Sequence, residues 1–188
     1  MNILKKIIFP LLSIFLALRM IELMRILIST EPKEYGFGLT FIFAFLLTLY
    51  FTGIFAFLGF AYPTNKVLPK NYYKLKNPKT LVKISRILGV KYFQMLLMLA
   101  FWGTKKNRKK YFNGTKSGLK NFIFQTKQSE FGHFAALIGI SILSIILIPR
   151  GYYSLVIIMT IINIIGNLYP ILLQRLHRVR ISKIMVDE

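Results

Sequence analysis

The chain contains no cysteine, and it has only two histidines and six acidic residues among its 188 residues. Without cysteine it has no disulfide framework, no thiolate nucleophile and no cysteine-ligated metal site. A di-iron site of the kind held by helical bundles needs several inward-facing carboxylates. Besides Glu130, Glu22 is the only acid placed within a predicted apolar span, so we predict that no metal is bound.

The sequence is rich in apolar and cationic residues. Hydrophobic residues make up 55% of the chain, and 26 lysines and arginines give a formal net charge of +20. Nucleic-acid binding is a common explanation of such a surplus, but here the cations lie between long apolar runs and no soluble basic module is visible. We therefore predict an integral membrane protein with a basic cytoplasmic face and no nucleic-acid partner.

Four apolar segments are predicted to cross the membrane as helices, since about 20 apolar residues span a hydrocarbon core of about 30 Å. The predicted spans are residues 7–28, 37–62, 131–148 and 151–173. A shorter helix near residues 80–102 is predicted to be interfacial or re-entrant. The fold class is thus all-α, with residues 1–188 as a single membrane domain. Its basic parts are the segment 63–130 and the tail 174–188.

The positions of the cations predict the orientation of the chain. If the N-terminus is cytoplasmic, the two outer loops hold only Lys33 and Arg150 as cations, and the inner segments hold most of the others. This asymmetry is typical of membrane proteins, whose cytoplasmic loops are enriched in lysine and arginine. We therefore expect both termini to lie in the cytoplasm.

Polar side chains also occur within the first two spans. Arg19, Glu22 and Arg25 follow one another at spacings of three, so Glu22 can pair with either arginine on one helix face. Such a group forms either a structural ion network facing other helices or the wall of a polar cavity. Three threonines of the second span are expected to bond back to their own helix backbone: Thr40, Thr48 and Thr52.

The last two spans should bring polar residues to one depth. His133 precedes the turn at Arg150 by as many residues as Asn167 follows it. At about 1.5 Å per residue, both lie roughly 25 Å from the turn. Asn163 shares a helix face with Asn167. Pro170 has no backbone N–H and should loosen the helical turn before it.

Glu130 lies three residues before His133, on the same face of the predicted helix. A carboxylate in this position can orient the imidazole and raise its basicity, which is the arrangement of a general base and its orienting group. The alternative is an interfacial histidine and a glutamate that pairs with a nearby arginine. Gln174 and Arg175 follow about one turn closer to the cytoplasm.

Two segments, QTKQSEFGHF at 125–134 and NLYPILLQRLHRVR at 167–180, resemble the glycosyl-4,4′-diaponeurosporenoate acyltransferases. These small integral membrane proteins are linked to the last step of a bacterial carotenoid glycoside ester pathway. The resemblance covers roughly residues 91–183, with a similar aromatic and basic stretch through residues 101–102 and 111–113. His177 departs from it, since a smaller polar residue is expected there. The matching residues are Glu130, His133, Asn167, Pro170, Gln174, Arg175, Arg178 and Arg180.

The resemblance implies transfer of a fatty acyl group to a sugar hydroxyl of a glycosylated carotenoid or similar glycolipid. It implies His133 as the base, Glu130 as the group that holds its tautomer, and Asn167 or Gln174 as a donor to the oxyanion. No bound cofactor is expected. The partners are membrane lipids, the acceptor and an acyl donor, either acyl-CoA or acyl-carrier protein. The residues expected to bind the substrates are Gln174, Arg175, Arg178 and Arg180, with the arginines on the phosphate of the acyl carrier.

Two other functions remain open at this point. One is a non-enzymatic membrane protein whose basic cytoplasmic face binds anionic lipid or a partner, with its polar residues only packing. The other is an enzyme that acts on a different lipid substrate. Convergence of the polar residues on a shared cavity would favour an enzyme.

Overall fold

A computed structural model describes residues 3–32, 35–100 and 115–186 of the chain. The basic run at 105–110 and the aromatic positions 101–102 and 111–113, on which part of the resemblance depends, lie outside the described residues. The described residues form α-helices and short helical turns and contain no β-strand. The α-helices are α1 Ile3–Ser29, α2 Phe37–Ala61, α3 Pro78–Ile87, α4 Val90–Ala100, α5 Lys116–Leu147, α6 Tyr153–Asn163 and α7 Tyr169–Val186.

Within the described residues, three 3₁₀ turns and one π-helix connect these elements. The 3₁₀ turns are Thr64–Lys66, Lys70–Tyr73 and Ile148–Arg150. The π-helix, Ile164–Leu168, joins α6 to α7.

Four of the helical segments are long and apolar enough to cross a membrane: Ile3–Ser29, Phe37–Ala61, Gly118–Arg150 and Tyr153–Met185. This confirms the predicted all-α membrane fold with four spanning helices. The last two helical segments are longer than the apolar runs 131–148 and 151–173. The predicted short apolar region is also helical, with α3 and α4 in place of one element.

The chain divides into two compact units. Unit 1 comprises residues 1–64 and 132–168. Within it α1 packs along α2, and α2 packs against α6. The second half of α5 packs closely against α2. If Gly139 carried a Cβ atom, that atom would lie 2.2 Å from the Phe51 ring. The core of unit 1 includes Leu27, Phe43, Leu47, Ala136, Ile140, Leu147, Leu155 and Met159.

The turn between α5 and α6 is fixed to the end of α1. Gly151 has φ of +84°, a left-handed conformation that a residue with a Cβ rarely adopts. The neighbouring Tyr152 hydroxyl is buried and donates to the carbonyls of Leu27 and Thr30 at 2.6 and 2.9 Å. These bonds satisfy carbonyls at the end of α1 that have no partner within the helix.

Two expectations for the first two helices are confirmed, and one needs correction. The Thr40 and Thr48 hydroxyls donate to carbonyls of their own helix region, at 3.1 and 2.8 Å. Thr52 instead donates to Asn167 at 3.2 Å, because a better-placed polar partner exists outside its helix. Glu22 pairs with Arg19, as predicted. About half of each side chain is exposed (51% and 48%), so this pair does not face packed helices.

Unit 2 comprises residues 65–131 and 169–188. Within it α3 and α4 pack on each other and on α7. Gly89, with φ of +68°, provides the left-handed residue in the turn between α3 and α4. The Tyr169 hydroxyl donates to the Leu88 carbonyl at 2.8 Å, and its ring meets Phe93 edge-on at 5.7 Å. Tyr169 therefore ties the start of α7 to the α3–α4 turn.

Candidate active site

Four polar side chains of unit 1 form one hydrogen-bonded group, which we call the amide–imidazole cluster: Thr52, His133, Asn163 and Asn167. Nδ1 of His133 lies 3.0 Å from Oδ1 of Asn167. This contact confirms that the two residues lie at the same depth, as their equal distance from the turn predicted. Asn167 is fully buried.

The Asn167 amide uses both of its hydrogens within this cluster. Nδ2 of Asn167 donates to Oδ1 of Asn163 at 2.9 Å and to Oγ1 of Thr52 at 3.1 Å. Nδ2 of Asn163 donates in turn to the backbone carbonyl of Leu137 at 3.2 Å. Buried polar groups are costly unless they are hydrogen-bonded, and these bonds satisfy the amide hydrogens of Asn167 without a charged partner.

The backbone next to Asn167 departs from the α-helix. Asn167 lies in the π-helix Ile164–Leu168, and such short π segments in helical runs often occur at functional sites. Pro170 has no N–H, so the Gly166 carbonyl lacks the donor that an α-helix would supply. The loosened turn expected before Pro170 is therefore present.

Unit 2 contains a second polar group, the carboxylate–guanidinium cluster of Glu130, Arg175 and Arg178. Glu130 is fully buried. Its Oε1 accepts a hydrogen bond of 2.7 Å from Nε of Arg175, and its Oε2 accepts one from Nη2 of Arg178. Arg178 also donates to the Thr126 hydroxyl at 3.4 Å. The Arg178 side chain is 5% exposed and that of Arg175 is 32% exposed.

Two tyrosines of the 3₁₀ turn Lys70–Tyr73 cover the cations of this cluster. The Arg175 guanidinium lies 5.1 Å from the Tyr72 ring centre, and the Arg178 guanidinium lies 5.8 Å from the Tyr73 ring centre. The ammonium group of Lys127 also lies over Tyr73, at 5.7 Å. These are cation–π distances. Burial, followed by the negative charge of Glu130, raises the pKa of the Tyr73 hydroxyl to about 12.

Sequence reasoning missed both tyrosines. Their only signal was an aromatic pair inside a basic loop, in the run KNYYK. Aromatic rings beside cations are common enough in a chain of this composition that the pattern alone does not single out a site.

The other predicted site residues have simpler surroundings. Gln174 is partly buried and Arg180 is exposed, and neither side chain hydrogen-bonds a residue of the described ranges. The His177 ring lies 5.4 Å from the Phe122 ring. Within the described part of the chain, no three metal-ligating side chains gather in one place.

The two clusters divide the residues that the sequence grouped together. Glu130 was predicted to orient His133, but its two oxygens bind arginines, and Nδ1 of His133 meets Asn167. The carboxylate binds guanidinium groups because a buried negative charge needs a charged partner more than a neutral ring does. Catalytic roles for Glu130, His133 and Asn167 stay predictions.

These features define a membrane protein with an imidazole held by a buried amide in unit 1 and an arginine-rich cluster in unit 2. The family described as CrtO, glycosyl-4,4′-diaponeurosporenoate acyltransferase, matches residues 69–187, more than half of the chain. The chain therefore belongs to this family of acyltransferases and is an enzyme, which disfavours the non-enzymatic alternative. Searches of curated proteins and of solved structures found no match.

Proposed function

We propose that the protein transfers a fatty acyl group from an acyl carrier to a sugar hydroxyl of a glycosylated carotenoid in the bacterial cytoplasmic membrane. The carrier is acyl-CoA or acyl-carrier protein, both of which present a thioester and a phosphate. Membership of the acyltransferase family supports the reaction type. The observation that carries the proposed chemistry is the 3.0 Å contact that holds the His133 imidazole against Asn167.

In this reaction His133 is the general base. The sugar hydroxyl oxygen forms a bond to the thioester carbonyl carbon while its proton moves to Nε2 of His133. The carbon–sulfur bond then breaks, and the departing sulfur takes the proton from His133, which restores the neutral ring. Asn167 holds the ring in place, since both of its amide hydrogens are engaged in the cluster. Transfer is direct and needs no acylated residue.

The carboxylate–guanidinium cluster supplies positive charge for the acyl donor. Glu130 offsets only one of the three cations Arg175, Arg178 and Lys127. About a third of the Arg175 side chain is exposed, so its remaining N–H groups can bind a phosphate as a planar fork. The exposed Arg180 adds charge, and the Gln174 amide is a candidate donor to a polar group of the acyl carrier. Arg178, almost fully buried, holds Glu130.

The test is acyl transfer by purified protein in lipid bilayers, with a glycosylated carotenoid and acyl-CoA supplied. Replacement of His133 by alanine should lower the rate by about 10²–10⁴-fold, the usual contribution of a general base. Since the chain has only two histidines, His177→Ala is the matched control and should retain most of the activity. Full activity of His133→Ala in correctly inserted protein would remove the proposed base.

We also propose the orientation that the cations predict, with both termini in the cytoplasm. Reporter fusions at Arg150, in the turn before α6, should give an external signal. Fusions at Lys74, after the 3₁₀ turn Lys70–Tyr73, should give an internal signal. An external signal at Lys74 would reverse the orientation.

A further inference from the structure

A backbone carbonyl fixes the orientation of the Asn163 amide. The Leu137 carbonyl oxygen can only accept hydrogen bonds, so the Asn163 atom 3.2 Å from it must be Nδ2. The Oδ1 atom of Asn163 is therefore turned toward Asn167. The same Leu137 carbonyl also accepts a bond of 2.8 Å from the exposed Ser141 hydroxyl, which takes no part in the cluster.

The orientation passes from Asn163 to His133 through Asn167. Oδ1 of Asn163 is also a pure acceptor, so Asn167 must present Nδ2 to it, at 2.9 Å. Oδ1 of Asn167 then faces Nδ1 of His133 at 3.0 Å. Since this oxygen can only accept, Nδ1 must carry the hydrogen. A neutral imidazole has one N–H, which leaves the lone pair on Nε2.

Thr52 does not determine the orientation of the Asn167 amide. Its hydroxyl lies 3.2 Å from Oδ1 and 3.1 Å from Nδ2 of Asn167. A hydroxyl both donates and accepts, so it satisfies either orientation of the amide. The selection of one orientation therefore depends on Asn163.

We infer that Asn163 is a positioning residue that sets the tautomer of His133. It acts through Asn167 to keep the proton on Nδ1 and the basic lone pair on Nε2. Its consequence for catalysis rests on the proposed role of His133 as general base, whereas the tautomer itself can be measured without any activity.

The direct test is ¹⁵N NMR of the histidine-labelled protein in lipid bilayers, with a His177→Gln variant to assign the signals. In the wild type, His133 should show a protonated Nδ1 and an unprotonated Nε2. Asn163→Leu should give a mixture of the two tautomers, because Asn167 can then point either way. Asn163→Asp should keep the wild-type tautomer, since a protonated carboxyl can donate to Leu137 and still accept from Asn167. Thr52→Val should also keep it.

The kinetic test uses the same variants. Asn163→Leu should lower kcat by about ten-fold, the scale of one lost buried hydrogen bond, with KM for the acyl donor unchanged. Asn163→Asp should restore most of kcat, and Ser141→Ala should match the wild type. A change in KM alone would contradict a positioning role.

Two spectra would overturn the inference: a wild-type His133 with its proton on Nε2, or an Asn163→Leu variant with only the Nδ1 tautomer. If Asn163→Leu does not fold, the wild-type spectrum still decides, because a proton on Nε2 is incompatible with the chain of acceptors. If the spectra are as expected but His133→Ala remains active, the general-base proposal fails and the tautomer assignment stands.

Discussion

The two polar clusters offset the cost of burying polar groups in different ways. The amide–imidazole cluster of unit 1 contains hydroxyl, amide and imidazole groups. The carboxylate–guanidinium cluster of unit 2 contains a full negative charge and two full positive charges. Each has a completely buried member, Asn167 in the first and Glu130 in the second.

Because of this difference, one cluster is suited to proton transfer and the other to holding fixed charges. Neutral amides can hold a ring in one tautomer without attracting or repelling a proton strongly, which suits a group that must accept and release one. An ion pair fixes its members, because removal of one partner leaves an uncompensated buried charge. The first cluster is therefore suited to catalysis, and the second to structure and to attraction of an anionic donor.

The largest effect that would test this contrast is the loss of the buried carboxylate. Glu130→Gln should reduce the free energy of unfolding by about 3–5 kcal/mol, as expected when one member of a buried ion pair is removed. The measurement is thermal or chemical unfolding of purified protein in detergent and in bilayers. A stable Glu130→Gln protein with a defect only in catalysis would instead restore Glu130 to the proton-transfer machinery.

Arg175→Lys should have the next largest effect, and in a different quantity. A point charge cannot reproduce a planar two-pronged contact with phosphate. KM for the acyl donor should rise by about ten-fold, the equivalent of one charge-assisted hydrogen bond, with kcat at saturation little changed. Arg178→Lys is the control. It should lower the free energy of unfolding by more than the free energy that corresponds to any change in KM. An unchanged KM in Arg175→Lys would show that this cluster does not bind the acyl donor.

The Arg19–Glu22 pair offers a comparison between an exposed and a buried ion pair. Because about half of each side chain is exposed, Glu22→Gln should destabilise the protein much less than Glu130→Gln does. Parallel melting curves of the two variants in bilayers provide the measurement. Equal losses would show that burial does not set the cost of removing the carboxylate.

Tyr73→Phe should have the smallest effect. The Tyr73 hydroxyl is buried and has no hydrogen-bond partner among the described residues, so its removal should leave stability near neutral pH unchanged or slightly higher. Its pKa is raised from 10 to about 12 in the folded protein, so above pH 10 the unfolded chain loses this proton first. Stability is therefore lost as pH rises from 10 to about 12. Tyr73→Phe should reduce that alkaline loss, and an identical pH dependence would contradict the assignment.

Much of the fold could be predicted because the membrane limits the choices. The uncharged run from Phe37 to Ala61 could only be a buried or spanning helix, and Pro149-Arg150-Gly151 marked the turn from which the depths of His133 and Asn167 were counted. Their contact followed from helix geometry alone.

The partners of the clusters could not be predicted in this way. Thr52 reaches Asn167 because α2 and α6 pack together, and a single sequence does not state which faces meet. Glu130 had a neighbour three residues away on its own helix, but Arg175 and Arg178 are far away in the sequence and offer full charges. Local spacing in the sequence points to His133 as the partner of Glu130, whereas the cost of desolvating the Glu130 carboxylate favours the charged arginines.

Gly139 extends the set of positions on which the chemistry depends. Any side chain there would force the Phe51 ring aside, and Phe51 is the neighbour of Thr52, whose hydroxyl anchors Asn167. A change at Gly139 can thus disturb the imidazole without altering any polar residue. In a genetic screen for lost acyltransferase activity, such a substitution would resemble an active-site mutation although it alters no polar residue of the cluster. Among natural variants of this chain, drift at residue 139 should be more restricted than at lipid-facing positions.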